Sequence, residues 1–489
     1  MRIPNGNGKT VPGRQSDPSQ PNYPGKKSSV CRWSAGLAAA AVLFGFGSQV
    51  KAQNPILPHI YAADPSAHVW PNDPNTLWLY TSHDVPGTNN HQSMNGYHVF
   101  STQDLVNWVD HGRVLGVENV AWAISHAWAI DAVFWKGKYY LVYCMVERET
   151  GMFRTGLAAS DRPQGPFTDI GFIKGVEWGQ DPALFVDDDN TPYLFWGSGG
   201  NAYGVRLSDD LMSAIPGTTV KLTQQLTDVF EGPWVHKYNG TYYLSYPGLP
   251  GGKWPEEMYY ATAQSPLGPY TTQGKYIGSF ALQSGTNHGS FVKFKDRWIA
   301  FYHSAWGSAG KSEVRSVMAD FVTYDNKGKI SPVIPSKNGI SNGVPPRVTI
   351  RLEAENGPAA GGRLDDTRVE TAHSGYSGSG YVTGFRTSHA YVRVLAQTAG
   401  KSSYRLRIRY RAEADTPIWL LLNETRLNGD NETYKTVALP KSDTFVTYEV
   451  GLATLSAGDN LLSLGSKDPA HDTLAVDAIE LVYEPHPLN

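Results

Sequence analysis

Cysteine is almost absent from this chain of 489 residues, which contains only Cys31 and Cys144. Cys31 falls in a segment with the features of an export signal, so the mature chain would keep Cys144 alone. A single cysteine forms no intrachain disulfide and assembles no thiolate metal site. Cys144 lies in a predicted strand, and we expect it to be a buried small hydrophobic residue.

Net charge and basic runs are also lacking. The chain has 42 Lys and Arg against 45 Asp and Glu, a formal net charge of −3, so neither nucleic acid nor an anionic membrane is expected as a partner. Long helical periodicity is absent too. Glycine (50), proline (32), tyrosine (27) and tryptophan (14) are abundant, a composition typical of short strands joined by turns. Many aromatic residues with little net charge suit neutral ligands with apolar faces, above all sugars.

Long apolar runs are rare, and the longest, residues 35–46, has 12 residues. That is fewer than the about 18–20 needed to span a bilayer. Lys27 and Arg32 precede the run, and small residues follow it up to Ala52, which is the order of a secretory signal peptide. We predict a leader and signal peptide over residues 1–52 and a secreted or periplasmic protein without membrane attachment. An uncleaved membrane anchor is the alternative.

A short aromatic strand core recurs five times in the next part of the chain. The central residues of the cores are Leu79, Leu141, Leu194, Leu244 and Ile299. Their intervals are therefore 62, 53, 50 and 55 residues. A repeat of about 50 residues built from short strands predicts the blades of a β-propeller. We predict an all-β fold with a five-bladed β-propeller over residues 53–335.

A polar residue capable of site chemistry precedes each strand core by a similar distance. These residues are Asp64, Asp131, Asp181, Glu231 and His288. In a propeller the innermost strands converge on one axis, so equivalent positions of different blades meet in space. Because a scaffold gains nothing from grouping like charges, we expect an active site at this axis.

The pattern changes after the propeller. Residues 336–348 are rich in Pro, Gly, Ser and Asn and are predicted to be a linker. Residues 349–489 alternate apolar and polar positions, as in Tyr404-Arg-Leu-Arg-Ile-Arg-Tyr410. This alternation and length predict a second all-β domain, a β-sandwich of the jelly-roll kind.

The carboxylates of the axis suit glycosidic bond hydrolysis with inversion. That reaction needs one carboxylic acid that protonates the leaving oxygen and one carboxylate that activates water on the opposite face. A third carboxylate near the acid raises its pKa by like-charge repulsion. Spacing alone does not distinguish the three roles.

Local motifs resemble glycoside hydrolase family 43, and the resemblance covers residues 55–340. The motifs are Ala63-Asp-Pro65, Ala129-Ile-Asp-Ala132, Gly179-Gln-Asp-Pro-Ala-Leu-Phe185 with Asp187-Asp-Asp189, Phe230-Glu-Gly-Pro233 and Thr286-Asn-His-Gly-Ser290. The resemblance implies a five-bladed propeller and an inverting mechanism. It implies that Asp64 is the general base, Glu231 the general acid and Asp131 the residue that tunes the acid. It gives Asp181 no catalytic role, although its position predicts the axis, and we favour a structural role for this residue.

Further residues are candidates for substrate contacts. His288 is similar to the family's axial histidine, near which many members hold a calcium ion or a water cluster. Arg315 is similar to an arginine that contacts the bound sugar. Trp122 and Trp128 flank Asp131 in the sequence and are candidates for the wall of a sugar subsite, with packing between blades as the alternative.

The C-terminal domain resembles carbohydrate-binding modules of families 6 and 35. The resemblance lies in Leu352-Glu-Ala-Glu355 and Val476-Asp-Ala-Ile-Glu480. It implies neighbouring first and last strands and a structural Ca²⁺ held by Glu353, Glu355 and Asp477, whose oxygens suit this ion. Ala478 stands where an aromatic residue is common, so sugar binding by the module is open.

The combined interpretation is a hydrolase that trims plant cell-wall polysaccharide or its oligosaccharides from an end. The resemblance favours an exo-acting α-L-arabinofuranosidase on arabinoxylan or arabinan, with β-xylosidase and then β-galactofuranosidase as alternatives. The expected partner is thus an arabinose- or xylose-containing oligo- or polysaccharide. A non-catalytic carbohydrate-binding propeller is the alternative from another class, and a retaining fructan-active enzyme is a further one.

Overall fold

The computed structural model describes residues 53–341, 344–357, 367–387, 390–423, 425–426, 435–468 and 473–484. The predicted leader and signal peptide lie outside these residues. No helix within the described ranges is long and apolar enough to cross a membrane. Helical structure there consists of five short 3₁₀ turns, His91–Ser93, Val117–Asn119, Thr223–Gln225, Pro250–Gly252 and Ala354–Asn356.

Five antiparallel sheets form the blades of a propeller. Blade 1 contains β1 (Ala62–Trp70), β2 (Asp73–His83), β3 (Gly96–Thr102) and β4 (Asn107–Gly116). Blade 2 contains β5 (Ala123–Ser125), β6 (Ile130–Trp135), β7 (Lys138–Glu147), β8 (Phe153–Ser160) and β9 (Thr168–Phe172). Blade 3 contains β10 (Ala183–Val186), β11 (Pro192–Ser198), β12 (Asn201–Arg206) and β13 (Val220–Lys221).

Blade 4 contains β14 (Trp234–Tyr238), β15 (Thr241–Gly248), β16 (Glu257–Ala263) and β17 (Thr271–Ile277), and blade 5 contains β18 (Ser290–Phe294), β19 (Arg297–Ser304) and β20 (Ser316–Val322). The five predicted aromatic cores lie in β2, β7, β11, β15 and β19, the second strand from the axis in each blade. The predicted all-β, five-bladed fold is confirmed.

The first and last blades are joined by the start of the described chain. The backbone N–H of Ile56 donates to Val317 O at 3.0 Å. The Asn54 side chain accepts from Ala319 N at 3.0 Å and donates to Ala319 O at 3.1 Å. Residues 53–56 therefore line up along β20 and close the ring of blades.

The innermost strands, β1, β6, β10, β14 and β18, contact one another around the axis. Four of the five predicted axis residues lie where an inner strand begins irregularly or has not yet begun. Asp64 lies at a register shift in β1 with φ +51°, and Asp181, Glu231 and His288 come two or three residues before β10, β14 and β18. Asp131 instead has a regular ladder position in β6, opposite Val142. This difference in register determines which of the five residues come together at the end of the axis where the inner strands begin.

The C-terminal domain is a β-sandwich. One sheet contains β21 (Arg347–Glu353), β22 (Arg368–Glu370), β23 (Tyr381–Thr383), β25 (Ser402–Ala412), β29 (Ser442–Leu455) and β31 (Ala475–Tyr483). The other contains β24 (Val392–Thr398), β26 (Thr416–Leu422), β27 (Thr425–Arg426), β28 (Lys435–Leu439) and β30 (Gly458–Ser466). Aliphatic side chains from both sheets, such as Leu406, Ile418 and Ile479, share one buried core. The first and last strands, β21 and β31, pair as predicted.

The sandwich and the propeller share a sheet. Strand β21 pairs in parallel with β4, from Arg347 opposite Asn107 to Ile350 opposite Asp110. Side-chain contacts reinforce this junction, since His98 and Gln397 are hydrogen-bonded at 2.8 Å. Val348 packs into the same apolar cluster as strands of blades 1 and 5. The segment predicted to be a linker therefore leads directly into a strand that extends blade 1.

Candidate active site

Asp64 is a buried carboxylate surrounded by donors. Ser82 Oγ donates to its Oδ2 at 2.5 Å, and Arg315 Nη1 donates to its Oδ1 at 3.2 Å. His288 Nδ1 lies 3.6 Å from the same Oδ1. Burial raises the pKa of Asp64, but the Arg315 charge and the His288 hydrogen bond outweigh this and hold the pKa well below its usual value. Asp64 is thus an ionised carboxylate over a wide pH range.

Arg315 is fixed by a second aspartate. Its Nε and Nη2 donate to the two carboxylate oxygens of Asp84 at 3.0 and 2.8 Å, a bidentate geometry that also sets the direction of Nη1. The side chain is buried, so this pair and Asp64 satisfy its charge. The predicted sugar contact of Arg315 stays a prediction, because its described contacts serve to hold Asp64.

Glu231 has the opposite electrostatic environment. Burial and the negative charges of Glu256 and Asp64 raise the pKa of Glu231 well above its usual value, and Arg315 offsets only part of this. Gln180 Nε2 donates to Glu231 Oε2 at 3.4 Å. A carboxyl group whose neighbours favour its protonated form therefore interacts with Asp64, whose neighbours favour its ionised form, and this pairing can supply an acid and a base at the same pH.

Asp181 lies beside this acid. Burial and the neighbouring Glu231 charge raise the pKa of Asp181 well above its usual value, with His288 acting in the opposite direction. The residue has φ +50° in the segment before β10. This backbone conformation is unusual for aspartate and indicates that the surrounding structure holds it in place.

Asp131 connects neighbouring inner strands. Its Oδ1 accepts hydrogen bonds from Ser66 Oγ at 2.5 Å and His68 Nε2 at 2.8 Å, and its Oδ2 accepts from Leu184 N at 2.8 Å. These partners belong to β1 and β10, so the Asp131 carboxylate connects the inner strands of blades 1, 2 and 3. Asp181 interacts with Glu231, whereas the described hydrogen bonds of Asp131 go to the inner strands, so the predicted tuning role of Asp131 stays a prediction.

His288 lies at the axis as predicted. Burial lowers its pKa, but the hydrogen bond to Asp64 and the Asp181 charge outweigh this and raise it. The imidazole ring packs against Gly232, where a Cβ atom would come within 3.0 Å of ring Nε2. Gly232, with φ +52°, thus lets the histidine approach the chain next to Glu231. An ion or water cluster beside His288 stays a prediction.

The two candidate tryptophans have different surroundings. Trp122 Nε1 lies 3.3 Å from Asp169 of β9, and its ring stacks on Tyr143. The structure thus places Trp122 in the packing of the outer part of blade 2 and not at the carboxylates. Trp128 Nε1 donates to the carbonyl of His91 at 2.7 Å. His91 is close enough to Arg315 for that charge, together with burial, to lower its pKa to about 3, so Trp128 contacts a residue that neighbours the acidic site.

Several site residues were not singled out from the sequence. Ser82, Asp84 and His303 come from the ends of second strands, and Glu256 directly precedes β16. His303 Nδ1 accepts from the backbone N–H of Asp64 at 3.2 Å. The predicted axis residues lie upstream of each strand core, whereas these residues lie downstream of a core. Polar residues at that end of a strand, such as His83-Asp84, were the available signal.

The three predicted metal ligands of the C-terminal domain converge on one loop. Ser377 Oγ donates to Glu353 Oε2 at 2.7 Å, Ser377 N donates to Asp477 Oδ1 at 2.9 Å, and Ser379 N donates to Glu355 Oε1 at 2.6 Å. Burial raises the pKa of Glu353 to about 7, with Ser377 opposing. Within the described ranges, no three acidic, His or Cys side chains have a geometry ready for a metal. Carboxylate oxygens are ligands that suit a hard cation, and among the described residues the buried Oε2 of Glu355 has no hydrogen-bond partner. Asp477 Oδ2, in contrast, is already paired with Arg409 Nε at 2.6 Å.

Comparison with known proteins agrees with the site. The model of glycosyl hydrolases family 43 matches residues 52–330. Xylosidase/arabinosidase 43A of Humicola insolens is 36% identical over 333 residues, covering 56% of this chain and 98% of the relative. Arabinoxylan arabinofuranohydrolase of Bacillus subtilis (strain 168) is 31% identical over 424 residues, covering 72% of this chain and 81% of the relative.

A solved structure supports the same assignment. The family 43 β-xylosidase/α-arabinofuranosidase from a compost microbial metagenome, in complex with xylotriose and in a calcium-free form, aligns with a TM-score of 0.52 and 31% identity. The alignment covers 58% of this chain and 98% of that one. The predicted enzyme class is thereby confirmed, and the substrate is a carbohydrate. The chain is a glycosidase that belongs to glycosyl hydrolases family 43.

Proposed function

We propose that the protein is an inverting, exo-acting α-L-arabinofuranosidase that removes arabinose from arabinoxylan or arabinan. The observation that carries the hydrolytic mechanism is the different surroundings of two buried carboxyl groups: Asp64 is next to Arg315 and His288, whereas Glu231 is next to other carboxyl groups, so their pKa values shift in opposite directions. Asp64 accepts a proton from a water molecule as that water attacks the anomeric carbon. Glu231 donates its proton to the glycosidic oxygen as the bond breaks. Inversion requires the two carboxyl groups to lie about 6.5–9.5 Å apart, so that the water fits between them.

Asp181 takes the tuning role in this proposal. Its carboxyl group interacts with that of Glu231, so repulsion between the two favours retention of a proton. Arg315 and His288 support the base, since both interact with Asp64 Oδ1. The neighbours of the acid therefore favour its protonated form, whereas the neighbours of the base favour its ionised form, within the same site.

The proposal for arabinose is supported by the relative from Bacillus subtilis. Its similarity covers 72% of this chain, which is more than the propeller alone, and its name specifies arabinofuranosyl removal from arabinoxylan. β-Xylosidase activity is the second candidate, since the relative from Humicola insolens is named for both activities. A relative from Aspergillus niger named β-D-galactofuranosidase supports the third.

The test is a set of initial rates on p-nitrophenyl α-L-arabinofuranoside, β-D-xylopyranoside and β-D-galactofuranoside, with arabinoxylan and xylobiose alongside. We expect the arabinofuranoside to dominate and Glu231→Ala to abolish turnover of arabinoxylan. ¹H NMR of the first product formed from arabinoxylan gives the stereochemistry, and inversion is expected. Dominant cleavage of xylobiose would replace the arabinose proposal, and a retained configuration would overturn the roles of Asp64 and Glu231.

For the C-terminal domain we propose a structural Ca²⁺ held by Glu353, Glu355 and Asp477. The fit rests on three carboxylates around residues 377–379 and on the unpartnered Glu355 Oε2. Removal of calcium with EGTA should lower the Tm of the whole protein by several degrees, and Glu353→Ala should abolish this difference. Glu449→Ala, which removes an exposed partner of Arg407, should leave it intact. An unchanged Tm in EGTA would contradict the proposal.

We also propose export to the periplasm or the medium after cleavage near Ala52. The support is the order of basic, apolar and small residues in the leader. Intact-mass analysis of the exported protein should give an N-terminus at Gln53. A product that keeps residues 35–46 would indicate an anchored protein.

A further inference from the structure

A fourth carboxyl group, that of Glu256, lies beside the acid and has no assigned task. Its side chain is fully buried. Asn287 N donates to its Oε2 at 2.7 Å, whereas its Oε1 accepts no hydrogen bond from an N–H or hydroxyl donor of the described residues. The Glu231 carboxyl group is a neighbour, because Phe230 N donates to Pro247 O at 3.0 Å and Gly248 of β15 pairs with Glu257 of β16. The two carboxyl groups can form a hydrogen bond when one of them is protonated.

The charged groups around Glu256 do not compensate a negative charge there. Asp181, Asp64 and Glu231 add negative charge, and Arg315 is the positive group that acts on it. Arg315 is already engaged by Asp84 and Asp64. Ionising both of two neighbouring buried carboxyl groups has a high free-energy cost because their charges repel, so the pair holds one proton jointly over a wide pH range.

We propose that Glu256 is a positioning residue that shares a proton with Glu231 and so keeps the catalytic acid protonated at neutral pH. This inference rests on the proposed role of Glu231. The pair carries one negative charge while it holds the proton, and both carboxyl groups are ionised after Glu231 gives that proton to the leaving oxygen. The proton that Asp64 took from water then returns to the pair through solvent, which restores the starting state.

The backbone gives Glu256 a second link to the reaction. Asn287, which donates to Glu256, is followed by His288 at the base, and Asn287 Oδ1 accepts from His288 N at 3.1 Å. Glu256 therefore lies between the segment of the acid and the segment of the base. A displacement of the Glu256 carboxyl would therefore move both segments. The experiment on Glu256 needs a readout that distinguishes proton sharing with Glu231 from a purely structural role.

The experiment is the pH dependence of kcat/KM for Glu256→Gln on an oligosaccharide substrate, whose leaving group needs protonation. We expect the alkaline limb to move down by about one pH unit or more, because a neutral amide removes the like charge that favours the proton on Glu231. The acidic limb, which reports Asp64, should stay in place. Glu257→Gln is the matched control, since Glu257 instead accepts from Ser279 outside the pocket.

Two outcomes would overturn the inference: an alkaline limb that stays at its wild-type position in a folded Glu256→Gln variant, or an equal loss of activity at every pH. If this variant does not fold, infrared titration of the wild type against Glu231→Gln decides. Proton sharing predicts that the Glu256 carboxyl titrates at lower pH once Glu231 is replaced, and an unchanged titration would overturn it. Full activity of Glu231→Gln would instead refute the proposed acid.

Discussion

At the residue scale, the site depends on neighbours that shift two similar carboxyl groups in opposite directions. Asp64 is next to Arg315 and His288, whereas Glu231 is next to Glu256 and Asp181. Both carboxyls are desolvated, and burial alone would raise the pKa of each. The sign of the net shift therefore comes from the charges, and those charges come from different blades.

The first prediction is a broad, bell-shaped pH profile of kcat/KM. The acidic limb should lie below the usual aspartate value of about 3.9, because Asp64 must be ionised and its pKa is lowered. The alkaline limb should lie above the usual glutamate value of about 4.3, because Glu231 must keep its proton and its pKa is raised. Initial rates between pH 3 and 9 test this, and a maximum confined below pH 4 would contradict it.

The second prediction separates Asp131 from Asp181. Asp131→Asn should lower the free energy of unfolding by about 1–3 kcal/mol, because a buried, hydrogen-bonded charge is lost, while the alkaline limb stays in place. Asp181→Asn should move that limb to lower pH. Thermal unfolding and pH profiles of both variants check this, and a limb shift in Asp131→Asn alone would restore the assignment made from the sequence.

The two aspartates show what the sequence could predict at this scale. Both lie at a similar distance before an aromatic core, so spacing finds them together. Only the register relative to the inner strand distinguishes them, because β6 begins before Asp131, whereas β10 begins after Asp181. Glu256 could not be found by the same rule, because it precedes the third strand of its blade and not the first. The antiparallel pairing of that strand within the blade brings Glu256 to the site.

At the scale of elements, each blade contributes its second strand to the repeat and the start of its first strand to the site. The aromatic cores identified the five blades because those strands are buried on both faces, which demands large apolar residues. Loops that follow the second strands carry no such pattern. The clamp of Asp84 on Arg315 joins two of these loops, and nothing in their local sequence predicts it.

The third prediction concerns this clamp between loops. Arg315→Gln should move the acidic limb of kcat/KM up by about 1–3 pH units, because the largest charge that lowers the pKa of Asp64 is removed. The alkaline limb should rise as well, because Arg315 also lowers the pKa of Glu231. Arg113→Gln, which removes an ion pair with the exposed Glu118, is the control. An unchanged acidic limb would show that His288 and Ser82 suffice to hold the base ionised.

At the scale of the whole molecule, the two domains are joined by a shared sheet and not only by a connecting segment. Composition after residue 335 predicted a flexible connection, but the parallel pairing of β21 with β4 joins positions about 240 residues apart. No local pattern encodes such a partner, because either edge could accept a strand of suitable alternation. The buried pair of His59 and Asp110, with Nε2 and Oδ2 2.9 Å apart, lies at the same junction, where β4 would otherwise be an exposed edge.

The last prediction follows from this shared sheet. Val348 is fully buried in a cluster with residues of blades 1 and 5, so Val348→Asp should cost about 3–5 kcal/mol of unfolding free energy by burying an unpaired charge. Thr349→Asp, on the half-buried face of the same strand, should cost much less. Calorimetry should show that Val348→Asp lowers the unfolding temperature of the propeller together with that of the sandwich, because the junction contributes to both. Independent domains would show the loss in one transition only, with the propeller transition unchanged.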